Sequence, residues 1–211
     1  MSRVIDLTLS LVSGEKGINI KPARRLDTDG WNAATLSLYS HCGTHIDAPV
    51  HFGVGVQTID TITVENLIGP AWVADIRPVK TRELIEPEHL GAIAEQFKPG
   101  ESLLICTGWS DYYRQDKYRN ELPRISAELA QWCVEKKVRM LGVEPPSVAD
   151  VNNIEELTTV HQILFKGGVI VVEGLANLAL LSKPKVTFIA LPLKIANGDG
   201  APARAVAIEE L

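Results

Sequence analysis

Leu157-Thr-Thr-Val-His-Gln-Ile-Leu-Phe-Lys-Gly-Gly-Val-Ile-Val-Val-Glu173 passes from a helical to a β pattern within seventeen residues. Leu157, Val160, His161 and Leu164 recur at the three- and four-residue spacing of one helix face. Gly167-Gly168 then supplies the residue type that closes a helix. Val169-Ile-Val-Val172 is β-branched throughout, which suits a central strand. A helix that delivers the chain straight into a buried strand is the repeating unit of a layered α/β fold.

The same alternation extends upstream. Met140 to Val143 and Ser102 to Thr107 are short apolar runs of the kind buried in parallel sheets. Between them Ile125, Leu129, Trp132 and Cys133 form a helical stripe that ends at Lys136-Lys137, suited to the negative end of the dipole. Leu90, Ile93, Ala94 and Phe97 predict another helix, entered through Pro87 and stopped by Pro99-Gly100. Val186 to Leu193 and Ala205 to Ile208 read as the closing strands. Before residue 80 the strands Val4 to Leu9, Ala34 to Ser40 and Trp72 to Val79 follow one another without a clear helix. The expectation is an α/β fold with a mixed sheet, a strand-rich N-terminal part and α/β alternation after residue 80. The early strands are expected in a second, antiparallel sheet beside the first.

The 211 residues contain no internal repeat and no linker long enough to divide them, so residues 1–211 are expected to form one domain. They are 45% hydrophobic and 22% charged, which excludes disorder as the dominant state. A net charge of −5 without a basic run argues against nucleic acid or an anionic membrane as the partner. No apolar stretch reaches the ~18 residues of a membrane span, and the first residues lack the apolar core of a signal peptide. Cys42, Cys106 and Cys133 include no C-x-x-C pair and read as reduced thiols, so a cytoplasmic setting is expected.

Three of the five histidines fall within His41-Cys-Gly-Thr-His45-Ile-Asp47-Ala-Pro-Val-His51. Imidazole and carboxylate together suit Zn²⁺, Mn²⁺ or Fe²⁺. Gly43 and Pro49 discourage a helix, so the segment is expected to leave a strand at Ser40 and fold as a glycine-containing loop. The other reading is a set of polar loop histidines with no shared partner. His161 lies on the apolar helix face, where a lone histidine is usually a satisfied core residue. Glu173 shares a strand face with Val169 and Val171; it either needs a cation or hydrogen-bond donors, or emerges into water. Next to the His/Asp loop, His161 and Glu173 suggest a second metal or an outer layer of support.

The remaining candidates carry weaker signals. Trp109 follows a predicted strand and reads more readily as core or interface than as pocket wall. Tyr112, Tyr113 and Tyr118 suggest packing or a subunit contact, and His89 a surface residue. Cys42 is expected to point away from the ligands. Thr58 in place of a third glycine removes Gly53-Val-Gly55 as a dinucleotide fingerprint, and no G-x-S-x-G elbow is present.

The eleven-residue motif resembles the H-x-G-T-H-x-D-x-P-x-H signature of the metal-dependent cyclase-like hydrolases, a family that includes bacterial kynurenine formamidase and isatin hydrolase. The resemblance covers most of the chain. Gly142-Val-Glu-Pro-Pro-Ser147, the stretch from His161 to Glu173-Gly-Leu-Ala-Asn-Leu178, Leu191-Pro-Leu-Lys194 and Gly198-Asp-Gly-Ala-Pro-Ala-Arg204 are similar to its later blocks. It implies a single swivelling β/β/α domain, with His41, His45 and Asp47 as ligands of the principal metal. His161 and Glu173 would hold a second ion that Asp47 bridges, and His51 would be the general acid/base. One or two Zn²⁺ or Mn²⁺ per chain and a homodimer or homotetramer are implied with it. Two departures stand out: Glu144 occupies the place of an Asp, and Leu9 to Gly17 lacks the W-P-G-D-like stretch of the kynurenine formamidases.

The expected activity is hydrolysis of a C–N bond other than a peptide bond, in a small amide, formamide (arylformamidase-like) or cyclic imide/lactam. An ion-activated water would attack and His51 would move the proton. The substrate-binding residues are not identifiable from sequence. The alternative is a binding protein of the same fold that an ion organises without catalysis. A structural ion is closed off by protein ligands, whereas a catalytic one keeps an open position.

Overall fold

The strand Ser102–Cys106 alternates Leu103 and Ile105 on one face with Leu104 and Cys106 on the other, and all four are buried. A strand covered on both sides belongs inside a layered structure. The computed structural model describes residues 2–210. Among these the strands are β1 (Ser2–Asp6), β2 (Ile18–Arg24), β3 (Ala33–Leu38), β4 (His45–Asp47), β5 (Ile68–Asp75), β6 (Leu84–Ile85), β7 (Ser102–Cys106), β8 (Arg124–Ile125), β9 (Met140–Val143), β10 (Ile170–Glu173), β11 (Lys185–Pro192) and β12 (Gly200–Glu210). The α-helices are α1 (Leu26–Asp29), α2 (Ile93–Gln96), α3 (Asp116–Asn120), α4 (Ala127–Glu135) and α5 (Ile154–Lys166).

The main sheet runs β1-β12-β11-β5-β7-β9-β10-β4, and β4 also pairs with β12, so the sheet curls into a barrel. Strands β5, β7, β9 and β10 are parallel to their neighbours in that series, and the remaining pairings are antiparallel. The length of β12 makes closure feasible: residues 200–202 pair with β4, while residues 206–210 pair with β1. The barrel interior is filled by Ile46, Leu104, Met140, Val172 and Phe188, with Ala201, Ala203, Ala205 and Ala207 giving β12 a small inner face. Outside, α4 and α5 cover the parallel strands, packing Leu129, Cys133, Val160 and Leu164 against Leu103, Ile105, Leu141 and Val171.

The α/β architecture with a mixed sheet matches the expectation, but the N-terminal strands are distributed differently. Only β2 and β3 pair separately, as a hairpin; β1, β4 and β5 join the main sheet. The reason is the free edge of β12, which two short strands fill end to end. The predicted helix around Leu90 to Phe97 divides at Gly91 into a 3₁₀ turn, Pro87–Leu90, and the short α2. Ile125 falls in β8 because Ser126 caps α4, its Oγ accepting Leu129 N–H at 3.0 Å. The stretch from Leu157 to Glu173 forms α5 and β10 as read, with Asn153 capping the helix.

Two glycines allow the barrel to close around the functional segment. Gly174, at φ 68°, lies so close to residue 43 that an added Cβ would stand 2.4 Å from the Gly43 carbonyl oxygen. At Gly200 a Cβ would meet His41 Cε1 at 2.7 Å and the Ile46 carbonyl oxygen at 2.8 Å. Thr44 ties the first approach together, donating to the Gly174 carbonyl at 2.5 Å and accepting Leu9 N–H at 2.9 Å. Gly174→Ala combines left-handed strain with a backbone clash, so unfolding in urea should show a loss on the order of 2–3 kcal/mol. A midpoint unchanged from the parent protein would contradict that close approach.

Candidate metal centre

Strand register assembles the site. Glu173 of β10 lies opposite His45 of β4, and Val171 opposite Asp47. Alternation sends Ile46 and Val172 into the barrel, which leaves His45, Asp47 and Glu173 on the other face, beneath His161 of α5. The sequence reading of a loop is therefore corrected: His45-Ile-Asp47 is a strand. His41 precedes it in a turn, and His51 follows in a 3₁₀ turn, Pro49–Phe52. Three residues are too few to display a period, and the gap between β10 and β12 that holds them is created elsewhere in the chain.

The structure brings together all six residues singled out in the sequence. His41, His45 and Asp47 form one group with ligand atoms within 4.8 Å of one another, and Asp47, His161 and Glu173 form a second. His41 Nδ1 stands 2.6 Å from Asp47 Oδ1, and His45 Nε2 3.5 Å from the same oxygen. His161 Nε2 is 3.6 Å from Asp47 Oδ2 and 3.3 Å from Glu173 Oε1. His45 Nε2 is 3.2 Å from Glu173 Oε2. Asp47 thus presents one oxygen to each group. His51 stacks on His41 with ring centroids 3.9 Å apart.

The ring nitrogens facing away from the carboxylates also have partners. His45 Nδ1 lies 2.9 Å from the Gly43 carbonyl and His161 Nδ1 2.7 Å from the Leu157 carbonyl. Such bonds place the proton outward and leave the inner nitrogen as a lone-pair donor, the usual arrangement of a metal-ligating imidazole. Three imidazoles around two buried carboxylates form a donor set that fits a borderline divalent cation. His161 and Glu173 are therefore neither a purely apolar-core histidine nor a carboxylate emerging into water.

For the chain alone, the cations that balance these carboxylates are the imidazoles. Burial by itself would lower the pKa of His41, but hydrogen bonds and proximity to Asp47 and Asp199 raise it to about 9. His45 and His161 are likewise raised despite their burial, principally through hydrogen bonds to Glu173. Glu173 would be raised by burial, yet its bonds with His161 and His45 hold it well below the usual carboxylate range.

A cavity of about 780 Å³ opens onto His41 and His45, with Leu9, Glu15, Tyr39 and Tyr113 among its walls. Tyr112, Tyr113 and Tyr118 pack around Trp109 and Leu122 as expected, and Tyr113 and Tyr118 also line this cavity. Tyr113 donates to Glu15 Oε2 at 2.6 Å, and Arg114 pairs with the same carboxylate. Trp109 is core, its indole N–H donating to the Tyr118 carbonyl. His89 lies away from the site, capping Glu86 N–H. Cys42 belongs neither to these two groups nor to a third, less buried one formed by His41, His51 and Asp199, and burial raises its thiol pKa. Sequence reasoning missed Asp199, which stands beside His41 and His51, and Phe52, whose ring stacks on His161 at 4.2 Å. The signal at Asp199 was its place in the Gly198 to Arg204 stretch that resembles a later block of the family.

Residues 5–150 match the family described as "Putative cyclase". The chain is 32% identical over 177 residues to the kynurenine formamidase of Bacillus cereus, covering 83% of this chain and 79% of that protein. It superposes on isatin hydrolase A from Labrenzia aggregata with a TM-score of 0.86 and 26% identity, over 98% of this chain and 93% of the other. A structure described as a potential metal-dependent hydrolase with cyclase activity matches over 100% of both chains, with a TM-score of 0.80 and 26% identity.

Ionisation at His41 links pH to both stability and metal uptake. An imidazole raised from 6.5 to about 9 contributes stability that is complete below pH 6.5 and disappears as pH rises through about 9. Zn²⁺ must displace those protons, so its affinity should move in the opposite direction. Thermal melting of chelator-stripped protein should show this contribution fading between pH 6.5 and 9, while calorimetric titration shows Zn²⁺ binding tightening with proton release. Zn²⁺ affinity independent of pH across that interval would contradict the linkage.

Proposed function

The chain belongs to the Cyclase family, and from that premise we propose hydrolysis of a small amide, formamide or cyclic imide/lactam, with His51 as general acid/base beside the ligands His41, His45, Asp47, His161 and Glu173. Its class is metal-dependent hydrolysis of a C–N bond other than a peptide bond. The observation that carries the reading is the inward convergence of three imidazoles on Asp47 and Glu173, with a fourth imidazole stacked at the edge of that set.

A divalent ion held there would lower the pKa of a water towards ~7 and polarise the carbonyl under attack. The mixed imidazole and carboxylate set suits Zn²⁺ or Mn²⁺, and the two oxygens of Asp47 allow one or two ions per chain. Burial lowers the pKa of His51 below its ordinary value even against the charges of Asp47 and Asp199. His51 is therefore neutral at pH 7, able to take a proton from the attacking water and return it to the leaving nitrogen. The cavity walls supply what the missing N-terminal tryptophan would have: Leu9 as apolar surface, and the Tyr113–Glu15–Arg114 cluster as a polar rim.

Residues 1–211 are read as one domain, because both ends of the chain contribute strands to one barrel. No helix among the described residues is long and apolar enough to cross a membrane, and the three cysteines are free and buried, which supports the cytoplasmic reading. The β2–β3 hairpin exposes Trp31 in its connection and Leu36 on its face, at 57% and 58%. An isolated hairpin is marginal in water, so this arm supports a homodimer or homotetramer.

Metal content by elemental mass spectrometry and turnover of an N-formyl-arylamine and of isatin test the assignment together. His51→Ala should retain the parent's metal content and lose about 10²- to 10⁴-fold in turnover; undiminished turnover would remove His51 from the chemistry. Light scattering on eluted protein should give two or four chains per particle, and a monomer would contradict the role given to the arm.

A further inference from the structure

We propose that Asp199 is a positioning residue, its carboxylate fixing the ring of His41 so that Nδ1 faces the metal site and holding His51 beside it. The inference rests on the metal reading above and extends it to a residue outside the two buried ligand groups. His41 differs from the other imidazoles of the set. His45 and His161 turn Nδ1 to backbone carbonyls and Nε2 to the carboxylates. His41 does the reverse: Nδ1 faces Asp47 Oδ1 at 2.6 Å, and Nε2 faces Asp199 Oδ2 at 3.0 Å. Its outer partner is thus a charged carboxylate. That choice places the proton on Nε2, frees Nδ1 as a donor and raises its basicity.

The same Oδ2 stands 3.5 Å from His51 Nδ1. One oxygen therefore spans two imidazoles whose rings are stacked at 3.9 Å. Removing it would leave the His41 ring without its outer partner and His51 with ring contacts to His41 and Phe52 alone. The backbone around Asp199 is built to hold the carboxylate in place. Its carbonyl accepts Ala48 N–H at 2.9 Å, the Gly198 carbonyl accepts Ile59 N–H at 2.9 Å, and Asp60 Oδ1 accepts Asn197 N–H at 3.0 Å. Gly200 then pairs with Asp47 in the β12–β4 ladder. The side chain itself is 48% exposed, so its effect should be that of an outer partner, smaller than loss of a ligand.

Asp199→Asn keeps the shape and removes the charge. Asp60→Asn removes a carboxylate charge from the neighbouring loop without touching either histidine, and so measures what loss of a nearby charge alone does. Chelator competition for Zn²⁺ on the full chain should show Asp199→Asn weakened about ten- to a hundredfold and Asp60→Asn within about twofold of the parent. The Co²⁺-loaded visible spectrum of Asp199→Asn should keep the parent's band positions, because the ligand atoms are unchanged. Equal Zn²⁺ affinity in Asp199→Asn and Asp60→Asn would overturn the proposal, as would shifted Co²⁺ bands, which would make Asp199 a direct ligand. A parent protein that takes up no Zn²⁺ would overturn the metal reading itself, an outcome distinct from the other two.

Discussion

Two carboxylates, Asp47 and Glu173, are buried between a barrel wall and a helix, and the rest of the site answers to their charge. Burying an ionised carboxylate costs several kcal/mol unless opposite charge or donors meet it. Glu144 and Glu209, the other acids buried this deeply, are satisfied mainly by neutral donors. Glu144 is equally buried, yet it accepts from Thr107 N at 2.7 Å, Gly108 N at 2.5 Å, Thr107 Oγ1 at 2.9 Å and Ser110 Oγ at 2.9 Å. Glu209 accepts from the backbone of Ser182 and Lys183. Glu173 has one such donor, Val148 N at 2.7 Å, and otherwise meets only imidazoles. The contrast separates a carboxylate that organises a turn from a pair that calls for a cation.

That requirement explains features that otherwise look unrelated. Closure of the barrel through β4 sets His45 opposite Glu173 and Asp47 opposite Val171. The Gly174 backbone must come against residue 43, and Gly200 against His41, for β4 to fit between its neighbours. The α5 helix supplies His161, steadied by a bond to its own Leu157 carbonyl and by the Phe52 ring. Rigidity of the sheet is therefore transferred to the facing imidazole and carboxylate atoms through short, local constraints, and the cavity opens onto His41 and His45.

Much of this was legible in the sequence for identifiable reasons. The passage from Leu157 to Glu173 carried both periods in unbroken succession, so α5 and β10 were readable to within a few residues. His41, His45, Asp47 and His51 were conspicuous because unusual side chains cluster within eleven positions. His161 and Glu173 were conspicuous for polarity on apolar faces. What escaped notice had no local pattern: β4 is three residues long, and β2 belongs to a hairpin with little buried surface. Tyr113 and Tyr118 were readable as packing residues, but nothing nearby in the chain marks the cavity they also line.

By itself, then, the sequence determined the layered α/β class, the six residues that the structure brings together and the family signature to which they belong. Those depend on side-chain type and on spacing within one element, which the chain displays directly. Only the tertiary structure decided that His45-Ile-Asp47 within the motif is a strand, that Asp47 turns one oxygen to each of the two buried groups, and that Asp199, 152 residues beyond Asp47, meets both His41 and His51. The physical reason is that these are consequences of pairing register and barrel closure. Each is settled by which strands lie side by side, and no stretch of neighbouring residues contains that information.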